Sequence, residues 1–266
     1  MLDEIRKIGA FLKRDFKLLL TYRLAFSAMF LNLVFNLFYF ILFGGMFGGG
    51  TPPQLAVYHQ NFITYLFIGS IGWSFLWSVM GGSSLALRNE MMMGTLESLL
   101  LSSTKLTTLV IAYTLFGCFM GAVSIVVLLT VGYFVFGVVM MINLYTLVIF
   151  LISTIMMAGF GLIFSGLTMW MKNIGDSIFL FQNISMFFCG VYFPITVLPE
   201  FWQKIAVFIP FYYSIEGIRV SIINPAGSVS YIVILIPLTI FFVLLGLYSL
   251  RRGLKKAKKD GSLSFY

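Results

Sequence analysis

Long charge-free stretches alternate with short charged segments along this chain. No Asp, Glu, Lys or Arg lies between Arg23 and Arg88, between Lys105 and Lys172, between Asp176 and Glu200, or between Arg219 and Arg251. A helix crosses the hydrocarbon of a bilayer with roughly 20 apolar residues. Each of the first two gaps has room for two such helices, and each of the last two for one. The pattern predicts six spans, near 24–43, 62–86, 107–137, 143–171, 177–195 and 229–250. Two breaks divide the long gaps. The run from Gly44 to Pro53 cannot continue a helix, because Gly is conformationally loose and Pro lacks a backbone donor. A weaker break lies between Gly137 and Asn143.

Residues 1–23 show a different period. Ile5, Ile8, Leu12, Phe16 and Leu19 recur at three and four residues, with Arg6, Lys7, Lys13, Arg14 and Lys17 off that stripe. This predicts an amphipathic helix lying in the membrane surface; a helical basic flank is the plainer alternative. Within the spans, Ser70, Ser74, Ser78 and Gly82 recur every four residues, as do Gly117 and Gly121, a spacing that lets helix backbones approach. Asn32 and Asn36 share one face of the first span, and Gln182 and Asn183 sit in the fifth. Amides at such depth bond across helices or line a polar path.

Composition agrees with the pattern. Of 266 residues 60% are hydrophobic and only 10% charged, where a soluble domain carries about a quarter charged. The fold class is therefore an all-α polytopic membrane protein. Orientation follows from the basic residues. With six spans, the basic N-terminal segment, Arg88, Lys105, Lys172 and the basic tail 251–266 fall on one side, which is then cytoplasmic; only Lys204 and Arg219 lie opposite. The net charge of +8 reads as a topology signal and a grip on anionic membrane lipids, not as a nucleic-acid site. Cys118 and Cys189 fall inside spans and read as apolar filler.

The segment from Pro194 to Arg219 is apolar and aromatic, yet cut by Pro194, Pro199 and Pro210. It is too broken for a plain span and too apolar for a solvated loop. A re-entrant pair of short helices at the outer side fits both facts. Glu216 and Arg219 are spaced to pair on one helical turn, either as a functional charge pair or as a structural one.

The predicted cytoplasmic loop 87–105 holds Glu90 and then Gly94-Thr95-Leu96-Glu97-Ser98-Leu99-Leu100. Thr95 can cap a short helix, without the full capping box because Ser98 occupies the third position. That helix would show Leu96, Leu99 and Leu100 on one face, toward a protein partner or the membrane surface.

Glu90 with Gly94–Leu100 resembles the cytoplasmic coupling segment of the type-2 ATP-binding-cassette exporter permeases. The later Gly190-Val191-Tyr192-Phe193-Pro194-Ile195, with Leu198, Pro199, Pro210, Tyr213, Glu216 and Arg219, resembles that family's second signature. The resemblance runs over essentially the whole chain. One departure is visible: the family often has Ser-Pro after the Leu run, and here Ser102-Ser103 stands.

The resemblance implies a permease half, in the prokaryotic plasma membrane, that moves an amphipathic, lipid-like or polysaccharide substrate outward. It implies a second permease copy and two copies of a separate ATPase subunit. The coupling and in-plane helices would dock on that ATPase, and the re-entrant segment would cap the outer exit. This chain would bind no cofactor itself, ATP and Mg acting through the partner. Consistently, it holds no Gly-x-x-x-x-Gly-Lys-Ser/Thr phosphate loop.

Three other readings are weaker. An ion-coupled secondary transporter needs ionisable residues at mid-membrane, and the predicted spans lack them. A channel is disfavoured by the lack of charged rings. An intramembrane enzyme needs a nucleophile–base pair, a carboxylate pair or a metal cluster. His59 is instead a lone loop histidine, and Asp176 reads as an acid at a helix start.

Overall fold

The computed structural model describes residues 2–46, 62–102, 104–138, 140, 142–171 and 174–259. Every regular element among them is helical: α1 (Leu2–Thr21), α2 (Arg23–Met46), α3 (Phe62–Met92), α4 (Thr95–Leu101), α5 (Leu106–Phe136), α6 (Leu144–Met171), α7 (Gly175–Phe188), α8 (Glu200–Phe208), α9 (Pro210–Ile223) and α10 (Val229–Lys259). Two short 3-10 turns, Ile195–Val197 and Ala226–Ser228, precede α8 and α10. The all-α polytopic fold is as the hydrophobic pattern predicts.

Four helices, α3, α5, α6 and α10, are each long and apolar enough to cross a membrane, and up to six spans result if each bent helix pair is one span. The chain turns by 79° between α1 and α2, the geometry expected where a surface helix meets a crossing one. α2 continues through Gly44, Gly45 and Met46, so glycine alone does not end it. The rest of the Gly/Pro break, with His59, lies outside the described residues, as do Lys172 and residues 260–266.

The weaker break is well built. α5 ends at Gly137, whose φ of 64° is left-handed; Val138 N–H reaches back to the Gly132 carbonyl, closing a Schellman turn. Asn143 then caps α6, its side-chain oxygen accepting from Thr146 N–H at 3.0 Å.

The fifth predicted span is corrected. α7 has 14 residues and stops at Phe188, not near 195. Its length of about 21 Å falls short of a hydrocarbon core of about 30 Å. Gly190, at φ 67°, turns the chain there. α8 and α9 follow, bent by 93° at Ile209, which precedes Pro210 and is extended as that position demands. Neither α8, with 9 residues, nor α9, with 14, spans a bilayer alone. α9 packs inside the bundle against α3, α6 and α10, burying Phe211 and residues 214–219. The proline-cut segment thus extends to Ile223.

Small residues set the tightest crossings. A Cβ on Gly117 would lie 2.4 Å from the Ser78 carbonyl, and one on Gly82 2.6 Å from the Tyr113 carbonyl, so α3 and α5 meet backbone to backbone. α6 and α10 meet likewise where Gly253 faces the Gly166 carbonyl, 2.3 Å from a would-be Cβ. α10 carries the basic tail as a continuous helix to Lys259, about 46 Å in all. Leu250 and Ala257 of its basic half join the core cluster that holds Leu96, Leu106 and, at its edge, Phe11.

Candidate functional site

Three arrangements carry the polar chemistry: a charged node at the basic end, a polar cleft between helices, and an anchored ion pair at the proline-cut end.

The node gathers α1, α3, α4 and α5. Glu90, buried at the end of α3, receives the Arg14 guanidinium at 2.8 Å and the Tyr113 hydroxyl at 2.5 Å. Arg14 also donates to the Tyr113 oxygen at 3.0 Å and pairs with Asp15 at 2.8 Å. The Thr95 hydroxyl donates to the Glu90 carboxylate and lies 3.1 Å from the Glu90 carbonyl. A second link joins α1 to α5, where the Thr108 hydroxyl donates to Glu4. That bond holds the Glu4 carboxyl below its ordinary range, with Lys7 and Lys105 adding a pull in the same direction. Phe16 packs edge-on against Phe116 and Phe119, at ring distances of 5.6 and 4.6 Å. α1 is therefore fastened along α5 by both polar and aromatic contacts.

This geometry revises the sequence expectations for the loop. Thr95 is the first residue of α4, and Gly94, at φ 68°, occupies the cap position. The left-handed backbone reverses the chain between α3 and α4, which is what requires glycine there. Thr95 is thereby free to fasten Glu90. The leucine face turns inward: Leu96 is fully buried among Leu87, Met91, Leu109 and Val110, with Leu99 and Leu100 packed at the edge. The outward side of the loop is formed by Met92, Met93, Gly94, Glu97, Ser98 and Leu101. Glu97 faces outward while Glu90 is consumed inside. The helix ends at Leu101 with Ser102 extended, and Ser103 lies outside the described residues.

The cleft has a volume of about 310 Å³. Asn32 and Asn36 from α2, Ser70 and Trp73 from α3, and Gln182 and Asn183 from α7 all line it. Sequence reading had singled out all four amides, and the structure brings them together. They do not sit as buried helix glue, however: Asn32, Asn36 and Asn183 are exposed along the open side of the cleft in this single chain. Asn36 accepts from the Tyr192 hydroxyl at 3.1 Å. Trp73 and Trp77 stack near it, with ring centres 6.4 Å apart. Ser70 Oγ and Trp73 Nε1 are buried with no hydrogen-bond partner among the described residues. Among the described residues, no charged side chain lines the cleft.

At the proline-cut end, Arg219 is fully buried. It donates to Glu216 at 2.7 Å and to the Gly190 carbonyl at 3.0 Å. Its guanidinium lies 3.6 Å from the Tyr65 ring centre, and the Tyr65 hydroxyl donates to the same Gly190 carbonyl at 2.8 Å. One arginine thus ties α9, the turn after α7, and α3. Gly69 makes room for it: a Cβ there would meet the Val191 carbonyl at 2.2 Å and Arg219 at 3.0 Å. Pro194 opens the 3-10 turn, Pro199 opens α8 and Pro210 begins α9, so each proline starts an element. Tyr213 packs at the edge of the main core and against the Tyr212 ring. Sequence reading found Glu216 and Arg219 but missed Tyr65, Gly69, Arg14 and Tyr113. A tyrosine on a lipid-facing pattern and an arginine on a basic helix carry no local mark of such partners.

Several helices long and apolar enough to cross a membrane, a helix α1 pinned to α3 and α5, and a proline-cut helix pair together define a multi-pass membrane protein. The family model described as ABC-2 type transporter matches residues 6–223, and the chain belongs to that family. It is a permease subunit of an ATP-binding-cassette transporter. The matched region ends with α9, so α10 lies beyond it, a shorter reach than the whole-chain resemblance suggested. No curated protein matches the chain.

Proposed function

We propose that this permease exports an amphipathic, lipid-like or polysaccharide substrate, driven by ATP that a separate subunit hydrolyses. The observation that carries this reading is the Arg14–Glu90–Tyr113 node. A force applied to the α4 loop enters α3 through Gly94 and Thr95, α1 through Arg14, and α5 through Tyr113. A docked motor subunit would therefore move two spans and the surface helix together. In this reading the basic end is cytoplasmic, in a prokaryotic plasma membrane. The outward residues of the loop, Glu97, Ser98 and Leu101 with Met92 and Met93, form the docking surface. Glu90 acts from inside as the fastener that keeps that surface rigid.

Two permease copies and two ATPase subunits complete the machine, with ATP and Mg held by the ATPases. The cleft's open side, bearing Asn32, Asn36 and Asn183, faces the second copy and becomes the substrate path. Its amides, hydroxyls and stacked indoles suit a neutral polar headgroup or sugar ring, since aromatic faces stack on apolar sugar faces and charge-free amides bond hydroxyls. The α8–α9 pair, braced by Arg219, sits at the outer exit.

The test is co-purification of the detergent-solubilised chain with its ATPase, followed by ATPase and transport assays in proteoliposomes. Glu97→Arg should leave membrane insertion intact and lower transport at least tenfold. Normal export by that variant would remove the α4 surface from the reading. Soluble thiol reagents should label cysteines placed at Asn32 and Asn183 in turn with the nucleotide state. Labelling that ignores nucleotide would argue against a substrate path through the cleft.

A further inference from the structure

A second and larger hollow, of about 910 Å³, runs between the ends of α6 and α10. Its inner part is apolar, lined by Ile163, Leu167 and Leu245. Its floor is the close crossing of Gly166 and Gly253, where the two helix backbones meet with no side chain between them. Its outer part is basic. Arg251, Arg252, Lys255, Lys256 and Lys259 all line it, and among the described residues none of its lining is acidic. These five fall in two adjacent rows of α10, at spacings of four residues. Like charges so spaced repel, so a helix end that merely needed solubility would spread or balance them. Lys258 is the one basic residue of this helix end outside the lining.

Two half-exposed aromatic residues mark the boundary between the parts. Lys256 Nζ lies 4.6 Å from the Trp170 ring centre, and the Arg252 guanidinium 4.9 Å from that of Tyr248. Rings of this kind settle at the level of lipid headgroups. They also hold the two cations at the rim of the trough. The flank of α10 beside the trough exposes Ile240, Phe241 and Leu244, which opens it sideways onto lipid.

We propose that this groove is a binding site for one anionic phospholipid, its acyl chains against Ile163, Leu167 and Leu245 and its phosphate among Arg252, Lys255 and Lys256. Charge complementarity selects the occupant. An apolar trough ending in a cluster of five cations, at the level of the interfacial rings, matches a molecule with tails at one end and a negative phosphate at the other. The site is independent of the substrate cleft and lies largely on α10, outside the region shared with the family.

The experiment is native mass spectrometry of the delipidated full chain in neutral detergent, titrated with phosphatidylglycerol or phosphatidylcholine. One phosphatidylglycerol should be retained at least tenfold more tightly than phosphatidylcholine. Arg252→Gln with Lys256→Gln should remove that preference. Lys17→Gln with Lys258→Gln, equal in charge but outside the groove, should leave it within twofold. All four side chains are surface groups, and size-exclusion profiles verify that both double variants remain folded. Equal loss in the two variants would show diffuse electrostatic attraction and overturn the site. Equal retention of both lipids, or full competition by inorganic phosphate, would overturn it as well. So would loss of the lipid in the intact permease–ATPase complex with the groove lysines shielded from acetylation, since protein would then cover the groove.

Discussion

Two ion pairs hold opposite ends of this bundle, and they are made differently. Glu216 and Arg219 are three residues apart on α9, and the arginine is wholly enclosed. Arg14 and Glu90 come from α1 and α3, and the Arg14 side chain is 37% exposed. The first pair is a local turn of helix that the rest of the fold closes around, using a backbone carbonyl and a tyrosine ring. The second is a bridge between elements, sharing its carboxylate with Thr95 and Tyr113. A wholly enclosed pair resists motion, because separating it leaves a charge without water. A partly wetted, multi-partner pair can be rearranged at lower cost. The proline-cut end is thus the more rigid of the two, and the basic end is the one that the proposed function takes as a transmitting joint.

The comparison can be broken first at the brace. Arg219→Ala strands Glu216 in the interior, and a loss of about 3–5 kcal/mol is expected. It should appear as aggregation or loss of monodisperse protein after solubilisation. Arg219→Lys keeps the charge but not the fork that reaches both Glu216 and Gly190. About 2 kcal/mol should be lost, by the usual worth of a charge-assisted hydrogen bond. If Arg219→Lys were as stable as the parent protein, the two-pronged bracing would be wrong.

Gly69→Val tests the same brace from the α3 side. Its Cβ would enter the Val191 carbonyl, and overpacking of this kind costs roughly 1–3 kcal/mol. Thermal unfolding followed by tryptophan fluorescence would read it.

The joint should respond differently. Arg14→Ala, Glu90→Ala and their combination form a double-mutant cycle, with a coupling of about 1 kcal/mol expected for groups in direct contact. Transport should fall further than stability does if the node transmits motion, as the proposed function requires. A transport defect no larger than the stability defect would reduce it to a plain structural pair. Tyr113→Phe is the smallest change, removing one donor to Glu90 and one acceptor for Arg14. It should cost about 1 kcal/mol and weaken coupling only in part.

The two pairs also differ in how far they were legible. Glu216 and Arg219 announce themselves, because three-residue spacing on a helix is a geometric fact of local sequence. Arg14 and Tyr113 do not, because their meeting with Glu90 depends on α1 folding back along α5. The leucines of α4 were misjudged for a related reason. A seven-residue helix has an apolar face, but whether that face points out or in depends on the wedge between α3 and α5 that receives Leu96. α7 was drawn too long because the apolar pattern runs on past Phe188, while the turn at Gly190 depends on Arg219 and Tyr65 holding its carbonyl. The four amides were found by their type, but only the packing of α2, α3 and α7 put them on one cleft.

By itself, then, the sequence determined the apolar helices, the basic bias of both terminal segments, the broken segment before the last helix and the local ion pair. These follow from hydropathy, proline chemistry and helical spacing, which act over a few residues. Tertiary structure decided which face of α4 is inside, where α7 stops, what shares the Glu90 carboxylate and which residues line the cleft and the groove. Those outcomes rest on contacts between residues far apart in the chain, and burial or bonding is settled only when the elements meet.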